Sequence, residues 1–83
     1  MEGTERLVQL LREAESILIT EGNDIAANWI AGVCDSISLG ELEAIEEFKN
    51  NLNGMGGFWE ASNSKRFQSV IVRIGGVLDE IAF

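Results

Sequence analysis

Apolar residues recur along the chain at helical spacing in four separate runs. In the first, Leu7, Val8, Leu10, Leu11, Ala14, Ile17 and Leu18 fall three, four and seven positions apart, with Glu5, Arg12, Glu15 and Ser16 away from them. This is the pattern of a helix that buries one face. Thr4 is its expected N-cap and Gly22 its stop. A second helix is predicted to open at Asn23 or Asp24 and to bury Ile25, Ala26, Trp29, Ile30, Val33 and Ile37, a face about 140° wide at 100° per residue. Asp24, Asn28 and Asp35 fall opposite. So broad a face predicts the most buried helix of the molecule, and Trp29, among Ile25, Ala26 and Val33, reads as core.

Ser38-Leu39-Gly40-Glu41 has the spacing of a capping box, in which the serine hydroxyl and the glutamate carboxylate satisfy amide donors at a helix start. The third helix predicted after it turns Leu42, Ile45, Phe48 and Leu52 inward and Glu43, Glu46, Glu47 and Asn50 outward, and ends in Asn50-Asn51-Leu52-Asn53-Gly54. Residues 54–64 lack periodicity and form the one real loop. A last helix is predicted to start around Ser62 to Ser64. It buries Phe67, Val70, Ile71, Ile74, Val77 or Leu78, and Ile81, with Arg66, Arg73 and Asp79 outward. The β-branched run from Ser69 to Ile74 also suits a short strand, but the helical period is sustained over four turns, and length decides such cases. Four helices with short connections imply one all-α domain over residues 1–83, a small four-helix antiparallel bundle.

Composition limits what such a bundle can do. The chain has 83 residues, no His and a single Cys. It therefore lacks the commonest general base and neutral metal ligand, and it has no internal disulfide or thiolate cage. The expectation is a protein that is not an enzyme and holds no metal or cofactor. Fourteen acidic residues against six basic ones give a net charge of −8. Residues 1–60 hold 12 acids and 3 bases, while residues 61–83 hold 2 acids and 3 bases, so the negative charge belongs to the first three helices. Such a field repels nucleic acid and speeds encounter with a basic protein. Arg73 and Gly75-Gly76 interrupt the best apolar stretch well short of the roughly 20 residues of a membrane span. The acidic start, Met1 to Arg6, lacks the features of a signal peptide, so a cytoplasmic location without membrane association is expected.

Two clusters are candidate binding residues. Glu43, Glu46 and Glu47, with Glu41 just before them, form a patch that can dock a basic partner. A solvated helix face and complementation of the helix dipole are the bland explanations of the same run. Their i, i+3, i+4 spacing also suits a metal, but a di-metal bundle draws on Glu-x-x-His pairs and the chain has no His. Met55, Phe58 and Trp59, set among Gly54, Gly56 and Gly57, read either as an exposed partner-binding anchor or as a lid folded over the bundle end. The glycines do not read as a phosphate cradle, since no Lys-Ser/Thr follows them and they come after a helix. Cys34, beside Asp35 and without a cation near in sequence, reads as structural.

Gly54-Met55-Gly56-Gly57-Phe58-Trp59-Glu60 resembles the Gly-Met-Gly-Ser-(Phe/Leu)-Asn-Asp segment of a family of small, mostly helical bacterial proteins, some of which are encoded beside polymorphic toxin systems. Ala27-Asn28-Trp29 resembles the Trp-containing helix that precedes the motif in that family. The residues are identical at Gly54, Met55, Gly56 and Phe58, while Gly57, Trp59 and Glu60 replace the family's Ser, Asn and Asp. The resemblance covers the middle half of the chain and implies an immunity or antitoxin setting. Together with the charge, the expectation is an acidic, non-enzymatic module that binds and blocks a basic toxin domain such as a nuclease. The alternative is a homodimeric structural or regulatory module, joined through the Met55–Trp59 loop or through Val72.

Overall fold

The computed structural model describes residues 2–53 and 58–81. They form four α-helices, α1 (Glu2–Thr20), α2 (Asp24–Ser38), α3 (Glu43–Asn53) and α4 (Lys65–Glu80), with a single 3-10 turn at Phe58–Glu60. The molecule is an all-α four-helix bundle, as the periodicity predicts. No helix among the described residues is long and apolar enough to cross a membrane.

The same device ends α1 and α2. Gly22 (φ 80°) and Gly40 (φ 86°) take the left-handed conformation. The Asn23 amide then reaches back to the Leu18 carbonyl (2.9 Å) and the Glu41 amide to the Ser36 carbonyl (3.0 Å). These are Schellman closures with glycine just past the helix end, where a Cβ would be strained. Gly22 is thus the predicted stop. Gly40 is a second one, which corrects the capping box: Ser38 lies in the last turn of α2 and cannot also start α3. Thr4 likewise lies inside α1 rather than capping it, since the helix begins at Glu2; Glu5, in its first turns, suits the positive end of the helix dipole.

The central helix is α1, which packs against both α2 and α4. Its stripe of Leu7, Leu11, Ala14, Ile17 and Leu18 is buried. Helix α4 runs back along it: a Cβ on Gly3, at the start of α1, would meet Ile81, just past α4, at 3.2 Å, and Glu21 at the other end bonds Ser62. Phe67, Val70, Ile71, Ile74, Val77, Leu78 and Ile81 are all buried, so Val77 and Leu78 both belong to the core. Helix α2 does not follow its predicted phase. Ala27, Ile30, Cys34 and Ile37 are buried, whereas Ile25 is 87% exposed and Trp29 40%, a rotation of about 90° around the helix axis. Apolar residues fill 9 of the 15 positions of α2, and the small side chains of Ala27 and Cys34 win the buried side because they let a neighbouring helix approach closely. Burial pushes the Cys34 thiol up to about 11. Leu42 also departs from its predicted inward position; it precedes α3, in the turn, and is half-exposed.

Phe58 joins the second half of the molecule to the first. Its ring lies 5.3 Å from Trp29, 5.7 Å from Phe48 and 5.4 Å from Phe67, measured between centroids, and Trp29 stacks on Phe48 at 5.8 Å. Its amide donates to the Asn51 side-chain oxygen at 3.0 Å. A polar corner fixes the other end of this linker. Asn23 caps α2 by accepting from the Ala26 amide (3.2 Å) while its amide group donates to the Ala61 carbonyl (3.0 Å). Ser62 donates to Glu21 (2.5 Å), and Ser64 caps α4 by accepting from the Phe67 amide (3.2 Å). Hydrogen bonding from Ser62 and Ser64, aided by Arg66, holds the Glu21 carboxyl below its ordinary value of 4.5 against partial desolvation.

Two outcomes follow for stability. Phe58→Ala should cost about 3–4 kcal/mol, the range for a core aromatic, and Trp29→Ala clearly less, measured by urea denaturation; equal losses would mean Phe58 is not the joint. Because the folded pKa of Glu21 is depressed, its contribution is present above pH 4.5 and fades as pH falls through the folded value. Glu21→Gln should therefore be less stable than the native chain at pH 7, with the gap closing in acid; a gap that persists at pH well below 4 would remove the charge from the argument.

Candidate functional site

The rotation of α2 leaves an apolar surface on its outer side. Ile25 and Trp29, one turn apart, stand at the surface, and Trp29 separates two grooves. One, of about 320 Å³, lies between α2 and α3 and is lined by Gly32, Val33, Ser36, Ala44, Glu47 and Phe48 as well as Trp29. The other, of about 630 Å³, lies between the start of α2 and the Phe58 turn, bounded by Asn23, Ile25, Ala26, Asn51, Glu60 and Ala61. Each groove thus has an apolar floor and one carboxylate at its rim. Trp29 is held there from beneath by its stack on Phe48 and its contact with Phe58. Fixed aromatic rings of this kind lose little conformational entropy when covered, which makes them effective anchors.

Gly32 is the least expected member of the surface. It sits in the middle of α2 without a positive φ, and a Cβ added there would meet nothing within 4 Å. Folding does not require glycine at this position, and in a helix interior it costs about 1 kcal/mol relative to alanine. Its effect is to keep the floor of the groove beside Trp29 low. Gly75 and Gly76 in α4 are also unopposed; nothing in the structure explains them.

The residues proposed from sequence divide in two. Glu43, Glu46 and Glu47 are exposed on α3. Glu47 reaches the groove beside Trp29 and Glu43 lies one turn before it on the same side, while Glu46 is about 100° further round the helix and faces away. Phe58 is corrected from anchor to core: it is 5% exposed, and as a lid it buries its ring where an interface would need it open. Met55 and the Trp59 side chain lie outside the described residues. Trp29, Ile25 and Gly32, which complete the surface, carry a readable signal in hindsight: an exposed turn of Ile and Trp at the edge of an over-wide apolar arc, with an unneeded glycine beside it.

Other features contribute less. A third groove, of about 670 Å³, runs between the start of α1 and the α2–α3 turn, lined by Val8, Ile37 and Leu42 with Glu5 and Gln9, but it has no aromatic anchor. Val72 is 75% exposed on α4. It is a single apolar side chain between the exposed Lys65 and Asp79, one on the same stripe two turns before it and one two turns after, and none of the three grooves reaches it. Cys34 is buried, and among the described residues no group of three or more His, Cys, Asp or Glu is arranged to hold a metal ion.

No family model matches the sequence, and neither the curated proteins nor the solved structures include a match. The surface is therefore read from its own chemistry. It offers an aromatic ring, apolar walls and separated carboxylates, which are groups for binding a partner that is both apolar and cationic. Gly32→Ala should raise stability by roughly 0.5–1 kcal/mol, read from the urea midpoint; a loss of stability would mean that the site around Gly32 is already filled.

Proposed function

We propose that this chain is a non-enzymatic protein-binding module that takes a basic protein through the Trp29 surface and, in the setting implied by the Gly-Met-Gly-x-Phe resemblance, acts as an immunity protein that blocks a basic toxin domain such as a nuclease. The observation that carries the reading is an apolar, tryptophan-centred surface with Glu47 and Glu60 on its rims, on a chain of net charge −8. A nuclease domain must be positive to hold phosphates. An acidic protein can occupy that positive surface, and opposite fields steer the two together. In this reading Glu43 and Glu46 contribute field, Glu47 and Glu60 form charge pairs at the rim, and Trp29 supplies the desolvated anchor.

The two parts of the reading separate kinetically. Rim and field charges act on the association rate, while the buried anchor acts on dissociation. With a basic nuclease toxin domain that this chain binds as partner, stopped-flow association should slow by about ten-fold or more between low and high salt. Trp29→Ala should mainly speed dissociation. Equal association rates at all salt concentrations would remove the charge mechanism, and failure of co-expression to protect cells from that domain would remove the immunity role.

A further inference from the structure

We infer that the occupant of the Trp29 surface is a cationic amphipathic helix of about 13 residues, lying along α2 across both grooves; the inference rests on the protein-binding role proposed above and names the segment that fills it. The two grooves share Trp29 and together run from Asn23, the cap of α2, to Ser36, a rise of 13 residues and so about 20 Å of helix length. That span matches a helix of three to four turns. Among the described residues there is no strand, so the surface offers no sheet edge to which an extended peptide could add. Helix-in-groove docking is the recognition mode that an exposed groove between two helices supports.

The chemistry along the groove sets the pattern of the occupant. Over Gly32 the floor is low and walled by Val33 and Ala44, which suits a large aliphatic side chain. At the other end Ile25 and Ala26 border a second apolar recess. Between them Trp29 leaves 40% of its surface in water with Glu47 to one side and Glu60 to the other. This is a position for an arginine or lysine stacked on the indole and paired with a carboxylate. The occupant thus carries aliphatic residues about two turns apart with a cation between them. Gly32 has a role in this arrangement that folding alone does not give it: any side chain there would lift the docked helix off the groove.

The test uses the intact, isotope-labelled chain and two peptides of about 14 residues. One carries Leu at i and i+7 with Arg at i+4 between them and Lys elsewhere; the other has the same composition scrambled. The expected result is saturable shifts at Ile25, Gly32, Ala44, Glu47 and Glu60, a gain of peptide helicity on binding, and affinity about ten-fold lower for the scrambled peptide. Gly32→Leu, confirmed as folded by circular dichroism, should weaken the patterned peptide by a similar factor, although the substitution favours the helix. Equal binding of both peptides, or binding indifferent to Gly32→Leu, overturns the helical occupant while leaving an acidic protein-binding surface intact. If neither peptide shifts any resonance at low salt, the occupant and the protein-binding role both fail.

Discussion

Phe58 belongs to no α-helix, yet three of the four helices meet on its ring. Trp29 comes from α2, Phe48 from α3 and Phe67 from α4, each with a centroid within 6 Å of it. In a chain of 83 residues few side chains can bridge so many elements, because surface is large relative to volume and each apolar stripe is used once. A flat ring contacted on several sides through tilted and edge-on geometries is well suited to this role, since such pairs add to the gain from burial. The Asn51 side chain, holding the Phe58 amide from α3, sets where along the helices the ring enters.

The same joint explains why Trp29 is available. Phe48 and Phe58 fill the space beneath it, so the indole is supported from inside without being enclosed. The exposed Trp29 surface is therefore a by-product of the core: the aromatic cluster that holds α2, α3 and α4 together also presents its outermost member to solvent. At the opposite end of the linker, Glu21, Asn23, Ser62 and Ser64 tie the α1–α2 corner to the start of α4. The segment between α3 and α4 is thus fixed by an aromatic contact at one point and by hydrogen bonds at the other.

Much of the architecture is legible in the sequence because α1 and α4 each carry a single apolar stripe, and a single stripe can face only one way. Gly22 and the serine before α4 are readable for a similar reason, since each meets a local requirement that few residues satisfy. Helix α2 is different. Its apolar positions cover so wide an arc that periodicity does not choose among orientations, and hydrophobicity ranks Trp29 and Ile25 above Ala27 and Cys34. Close approach of two helices favours the smaller pair. Of the candidate site, Glu47 could be found by counting charges, but its relation to Trp29 depends on how α2 and α3 are rotated. Gly40 illustrates the opposite error: two overlapping local patterns compete for four residues, and the need for positive φ prevails over a capping box.

Cys34 gives the molecule an internal reporter of its own opening. It is fully buried on α2, with Arg12 and Glu15 of α1 among the charges that influence its thiol, and it is the single sulfhydryl in the chain. An alkylating reagent in water can reach it only when that part of the hairpin separates. The rate of modification therefore measures the free energy of parting α1 from α2 and distinguishes it from the free energy of unfolding the whole chain. Breathing of the scaffold under the Trp29 surface can thus be followed without adding a label.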